Sequence, residues 1–304
     1  MRNIISHNSI TWVDIQNPEP QDLEYLKENF SFHPVVIEQI IPPSWTTKAE
    51  RFDSHLFLVL FFPMYSKERK QTRPRELDVI VTDRVLITSH YNSIIPLKAV
   101  FDECNLYEQK REEYMGKGAG FLLYRILHRT WQDCGVNISR IEQKLTFIEE
   151  SIFKGRERAM LGEIAFAKAD IINFWRIVRP QKGVFTSLRD ISPDFFGEHL
   201  TPYFSHLRNH WAKVMSNLII SKKTLESLEQ TNNALLTEKT NEIVKLLTIF
   251  AVIVFPLTLL AAIFGMNTKY LPLVGLPGDF WIVTGLMLAG TFFMIILFKK
   301  KKWL

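Results

Sequence analysis

Two cysteines in 304 residues, Cys104 and Cys134, are too few for a disulfide framework, and without a Cys-x-x-Cys pair they offer no thiolate zinc site. They read as small buried apolar residues. Residues 1–200 hold no Gly-x-x-x-x-Gly-Lys phosphate loop, no Gly-x-Ser-x-Gly elbow and no His-Glu-x-x-His pair. His7, His33, His55, His90 and His128 are scattered without ligand spacing. These absences leave no catalytic constellation, which argues against an enzyme or a membrane-tethered signalling domain. The opening Met1-Arg2-Asn3-Ile4-Ile5-Ser6-His7 is too polar for a signal peptide. Charge is missing from Leu246 to Phe264 and again from Phe280 to Phe298, and glycine is missing from Tyr203 to Phe264.

The two uncharged runs, nineteen residues each, approach the roughly 20 needed to cross a hydrocarbon core about 30 Å thick. A buried soluble helix seldom stays apolar on every face for so long. Lys299-Lys300-Lys301-Lys302 follows the second run, and Lys239 and Lys245 flank the first. By the positive-inside rule both ends face the cytoplasm, so a multi-pass protein of the cell inner (plasma) membrane is expected, with both termini cytoplasmic. The four-lysine tail supplies most of the formal charge of +5 and reads as an anchor for lipid headgroups; no nucleic-acid partner is needed.

The first 120 residues mix strand and helix signals, which predicts an α/β sheet domain of unreadable strand order. Thr11 to Ile15 alternates and stops at the turn Asn17-Pro18; Glu19 to Phe30 is helical; His55 to Phe62 is a β-rich run ended by Pro63; Leu77–Val81 and Val85–Thr88 form a hairpin across Thr82-Asp83-Arg84. From 121 to 200 the pattern becomes a helical hairpin, Phe121–Phe153 and Ala159–Val178, with Pro180 ending or kinking the second arm and further breaks near Pro193 and Pro202. Glu142, Glu149 and Glu150 read as a solvated face. A stalk helix is predicted over 201–245, a first membrane helix over 246–264, an external loop over 265–279, and a second membrane helix with its basic tail over 280–304. If helical throughout, the roughly 60 residues from Tyr203 to Phe264 make a rod about 90 Å long, which needs partner helices along its flank. Leu218, Leu225, Leu228, Leu235 and Leu236 suit a bundle of identical copies.

At 100° per residue, Asn241, Val244, Thr248, Ala251, Phe255, Thr258, Ala262 and Gly265 share a stripe about 120° wide that holds nearly all the small or polar residues of this helix. Small residues also allow close helix packing, but Asn241 and Thr258 add polarity at both depths, which favours a pore lining. Rings of Phe255 or Leu247 on this face could close such a path by excluding water. Pro256 leaves the Val252 carbonyl without its helical partner, which is tolerated beside a neighbour or a wet cavity.

Lys239-Thr240-Asn241-Glu242-Ile243-Val244-Lys245, Phe255-Pro256-Leu257-Thr258, Gly265-Met266-Asn267, Tyr270-Leu271-Pro272 and the tail Lys299 to Leu304 together resemble the CorA magnesium-transporter family, as do Trp12-Val13-Asp14 and His33-Pro34. The resemblance covers essentially the whole chain. It implies a funnel-shaped homopentameric channel for divalent cations, with the first span lining the pore and the second outside it. Gly265, Met266 and Asn267 would form the outer selectivity filter, where Asn267 side chains and backbone carbonyls hold a still-hydrated Mg²⁺, and Asn241 would be a second hydrated-ion ring. Mg²⁺ would be the transported ion, with Co²⁺ and Ni²⁺ hexahydrates of similar size, and no organic cofactor is implied. Mg²⁺ dehydrates reluctantly, so neutral oxygens offered to its water shell make sense.

The chain departs from the family where well-known members carry carboxylates near the start of the stalk. Here the run is Pro202-Tyr203-Phe204-Ser205-His206-Leu207-Arg208-Asn209-His210, and Gln230 stands where a carboxylate ring is expected. Lys269 and Leu273 likewise replace acids after the filter. Weaker closure by cytoplasmic Mg²⁺ is the expected consequence. His206 and His210, four apart on a helix, have the spacing of two imidazoles on one Zn²⁺, Ni²⁺ or Co²⁺; two ordinary stalk histidines beside Arg208 and Lys213 are the plainer reading. The rivals are a zinc transporter resembling ZntB, which shares Gly-Met-Asn, and a membrane-tethered regulatory protein without transport.

Overall fold

A computed structural model describes residues 2–66, 71–268, 271–273, 275, 277–301 and 303. The chain divides into two compact units, Met1–Glu229 and Gln230–Leu304.

In the first unit the described residues form a six-stranded sheet. Its strands are β1 (Arg2–His7), β2 (Ile10–Gln16), β3 (Lys48–Arg51), β4 (Leu56–Ser66), β5 (Gln71–Val81) and β6 (Val85–His90), in the order β1-β2-β6-β5-β4-β3. The β2–β6 pair is parallel and every other pair antiparallel. Asn17, at φ 53°, turns the chain away from β2. Helices α1 (Pro20–Asn29) and α2 (Pro34–Glu38) follow β2. They pack Leu26, Val36 and Ile37 against Val13, Ile15, Phe57, Val59, Ile80 and Ile87 on one face of the sheet.

The opposite face carries the alternate residues. Trp12 meets Phe101 of α3 (Ile95–Leu106) edge-on at 4.9 Å. After α4 (Glu108–Met115) comes α5 (Ala119–Phe153), whose Trp131 meets Phe62 at 5.9 Å. A sheet covered on both faces needs apolar residues at both parities, which is why Leu56–Phe62 reads as a continuous apolar run.

β4 does not stop at Pro63, as expected from the sequence, but continues to Ser66 with Pro63 directly opposite Pro74. The ladder to β3 reaches only Val59, and that to β6 begins at Asp78. Neither proline's missing N–H therefore removes a bond to a flanking strand.

The chain turns after α5 at Gly155, whose φ of +79° suits only glycine at low cost. α6 (Glu157–Val178) then runs back along α5, with Lys144 paired to Glu163 and Arg140 to Asp170. Glu142, Glu149 and Glu150 are exposed. α6 ends before Pro180, which lies in a short 3-10 turn. The break expected near Pro193 is absent: α7 (Lys182–Phe196) passes through it. Proline removes the N–H that would reach the Arg189 carbonyl, and the Ser192 hydroxyl donates to that carbonyl instead at 3.0 Å. The chain breaks at Gly197 (φ +93°), and Pro202 sits in the first turn of α8 (Thr201–Phe264), where its missing donor costs nothing.

α8 is one helix of 64 residues, uninterrupted at Pro256. Its stalk register needs a correction. Leu218, Leu225 and Leu228 are buried within the chain itself, together with Ser221, and Leu235 and Leu236 are half-buried, so only the last two are left for copies of the chain.

In the second unit α9 (Asp279–Lys300) follows the loop. Gly278, in the left-handed region at φ 86°, caps its start, and Lys299 and Lys300 sit in its last turn, where the helix dipole favours cations. Both α8 and α9 are long and apolar enough to span a bilayer. Only 6% of the apolar stretch of α8 and none of that of α9 is buried, whereas the core helix of a soluble protein would be mostly covered.

Candidate functional site

Along the apolar part of α8, Ile249 is buried and Ala251, Ile253, Val254, Pro256, Leu257, Leu260 and Phe264 are half-buried, all but Ala251 and Val254 on one face. Val252 borders an apolar groove of about 350 Å³ with Phe293, Met294, Leu297 and Phe298 of α9. At 100° per residue the stripe singled out from the sequence lies on the opposite side of the helix. Asn241, Val244, Leu247, Thr248, Phe255, Thr258 and Ala262 are all exposed and Ala251 is half-buried. The Thr248 hydroxyl donates to the Val244 carbonyl at 2.8 Å and the Thr258 hydroxyl to the Val254 carbonyl at 2.9 Å. Their donors are thus satisfied along the helix, and the oxygens keep lone pairs for water or an ion's hydration shell.

The stripe runs into the tripeptide at the helix end. The Gly265 N–H still donates to the Ala261 carbonyl at 2.9 Å and the Met266 N–H to Ile263 at 3.2 Å. A methyl group on Gly265 would stand 3.2 Å from the Ala261 oxygen, so the tight last turn favours glycine. Met266 and Asn267 are exposed, and the Thr268 N–H closes back on the Met266 carbonyl at 3.0 Å. Lys269 and Tyr270 lie outside the described residues, as do Lys302 and Leu304 of the tail. The loop ends with the Gly275 N–H on the Asp279 carboxylate at 3.2 Å.

A second constellation lies in the first unit. His206 and His210 sit one turn apart on α8 with ring centroids at 4.6 Å, and His128 of α5 stands 5.2 and 5.1 Å from them. One ring nitrogen of each lies within 4.8 Å of the other two. The packing of α5 on the start of α8 makes this arrangement. Tyr203 sits against Phe121 and Tyr124 at 5.2 and 4.9 Å, and Leu127 and Leu207 are fully buried. Tyr124 hydrogen-bonds His206 Nδ1 at 3.2 Å. Burial, then His210 and His206, bring the pKa of His128 down to about 4. Burial, His206 and Lys213 lower that of His210. The sequence reading set His128 aside as scattered, and no spacing signal could have recovered it. Asn209 and Gln230 are exposed on α8.

An α/β unit whose last helix runs on as a bare apolar stretch, followed by a second bare apolar helix, has the make-up of a two-span membrane protein. The chain matches the CorA-like Mg²⁺ transporter protein family over residues 7–300 and belongs to it. It is a divalent-cation transporter, not an enzyme. The cobalt/magnesium transport protein CorA of Thermotoga maritima is 26% identical over 296 residues, 97% of this chain and 83% of that one. The complete structure of the CorA magnesium transporter from Methanocaldococcus jannaschii superposes with a TM-score of 0.85 at 20% identity, over 99% of this chain and 94% of that one. The cytoplasmic domain of ZntB from Vibrio parahaemolyticus gives 0.62 at 12% identity, over 76% and 90%. At such identities these likenesses establish the fold alone.

Proposed function

We propose that several copies of this chain, five by resemblance to the family, surround one axis and pass hydrated Mg²⁺ into the cytoplasm, with Co²⁺ and Ni²⁺ as further cargo. The single observation that carries the reading is the stripe from Asn241 to Gly265. It is exposed except at the half-buried Ala251, lies opposite the covered face of Ile249, and ends at Gly265-Met266-Asn267. A lone chain encloses no path, so the uncovered stripe must meet other copies. Asn267 oxygens and backbone carbonyls then present neutral acceptors to the ion's water shell at the outer mouth, and Asn241 repeats this at the cytoplasmic end. Neutral oxygen ligands suit a hard cation that keeps its waters. In this reading Val244, Leu247, Thr248, Ala251, Phe255, Thr258 and Ala262 line the path between, and Phe255 and Leu247 form its apolar constriction.

With both termini cytoplasmic, as the lysines on either side of the spans favour, inward movement of a divalent ion is driven by about 4.6 kcal/mol per 100 mV. No nucleotide-driven step is required. Zinc as the cargo is the second reading, and the fold shared with the ZntB cytoplasmic domain favours it. Flux of Mg²⁺, Co²⁺, Ni²⁺ and Zn²⁺ into proteoliposomes, singly and in competition, tests both. Uptake of Zn²⁺ undisturbed by excess Mg²⁺ overturns the first reading.

A further inference from the structure

His128, His206 and His210 converge from two helices, and their chemistry differs from that of the membrane path. Imidazole nitrogens suit borderline transition metals, whereas Mg²⁺ prefers oxygen. We propose that these three side chains form a binding site for one transition-metal ion of the Zn²⁺, Co²⁺ or Ni²⁺ type, with three imidazole nitrogens as ligands and the fourth position open to water.

Four features support it. First, one nitrogen of each ring already lies within 4.8 Å of the others. Three nitrogens on one tetrahedral ion, with bonds of about 2.0–2.1 Å, sit roughly 3.4 Å apart. In the proposed site the rings turn about their side-chain torsions to close that difference. Second, His206 and His210 present two ligands from adjacent turns of a rigid element, and His128 crosses from α5 to complete the set. Third, the Tyr124 hydroxyl at His206 Nδ1 supplies an outer partner. When Nδ1–H donates to it, Nε2 keeps the lone pair for a metal. Fourth, His206 is exposed and gives an ion a way in, while His128 and His210 are half-buried.

Neutral imidazole is the form that binds metal, and burial is the first cause that disfavours protonation of His128 and His210. Arg125 beside His128 and Lys213 beside His210 both disfavour protonation. The same cations weaken binding of a dication, but Arg125 is itself paired with Glu113 at 2.7 Å. The proposal is independent of which ion crosses the membrane, since it rests on the first unit alone.

The test uses the purified full chain in detergent, stripped of metal and titrated with Co²⁺ while visible d–d absorption and stoichiometry are followed. The expected result is one saturable site per chain, with the strong absorption of a low-coordinate nitrogen environment, and a Zn²⁺-dependent rise in Tm. His128→Ala and His210→Ala should weaken Co²⁺ binding by more than the roughly 10–100-fold that loss of an outer partner costs, and Tyr124→Phe should fall within that range. His199→Ala, elsewhere on the same unit, should leave the signal intact. Wild-type affinity and spectrum in His128→Ala overturn the proposal. Should that variant misfold, His128→Gln with circular dichroism replaces it. X-ray absorption at the zinc edge of the wild-type protein gives a reading that needs no variant: fewer than three imidazoles per Zn²⁺ overturns the site.

Discussion

Asp170 of α6 accepts the backbone N–H of Thr72, in β5, through Oδ1 at 2.6 Å. Its other oxygen takes the Arg140 guanidinium at 3.1 Å, and that guanidinium lies over the Tyr65 ring at 3.2 Å from the centroid. One carboxylate thus ties the helical hairpin to the β4–β5 arm, where the sheet is only two strands wide. Asp170→Ala leaves a buried N–H unpaired and is expected to cost about 2–3 kcal/mol. For a unit of this size that lowers Tm by roughly 2–4 °C per kcal/mol. Asp170→Asn keeps an acceptor for Thr72 and should cost less. Thermal unfolding followed by circular dichroism checks the order.

Asn267→Ala removes the side-chain oxygen at the outer mouth while leaving the helix end and its Gly265 turn unaltered. Mg²⁺ flux in proteoliposomes should fall at least about tenfold, equivalent to about 1.4 kcal/mol, and selectivity for Mg²⁺ should be lost. Unchanged flux and selectivity would place the filter elsewhere.

On the stripe proposed to line the path, Ala262→Leu adds bulk and Thr258→Leu adds bulk and removes a hydroxyl. Both should depress flux strongly, with assembly on a sizing column unaltered. Phe255→Ala should have the opposite effect, because a smaller ring of side chains wets more readily.

The family resemblance implies carboxylates at these stalk positions in relatives, and His206, Asn209 and Gln230 put no anionic oxygen in their place. Flux through this chain should therefore persist at internal Mg²⁺ concentrations that close acid-bearing relatives. A dose-response coinciding with theirs would contradict this.

His55 is buried with Nε2 unpartnered among the described residues, stacked on Phe52 at 4.8 Å. Burial, then His33, lowers its pKa below 6.5. The folded protein then binds fewer protons than the unfolded chain, so stability is full above 6.5 and declines as pH falls below it. Tm measured against pH should drop on that acid side, and His55→Gln should flatten the slope.

The spans, the helical hairpin and the small-residue stripe were legible because each is a local pattern. A bilayer demands an uninterrupted apolar run, and a helix places every third or fourth residue on one face. The stalk leucines misled for the same reason: periodicity reports that a face is covered, not whether the chain itself or another copy covers it. The prolines misled too, since Pro63 and Pro193 break an element only where a partner needs their N–H. The sequence by itself determined that the chain carries two apolar runs long enough to cross a bilayer and which face of the first is small and polar. Only the tertiary structure decided that β2 lies parallel to β6, that Ile249 and its face are covered while most of the stripe is exposed, and that His128 joins His206 and His210. Those relations join residues far apart along the chain, and no local period records which distant surfaces pack together.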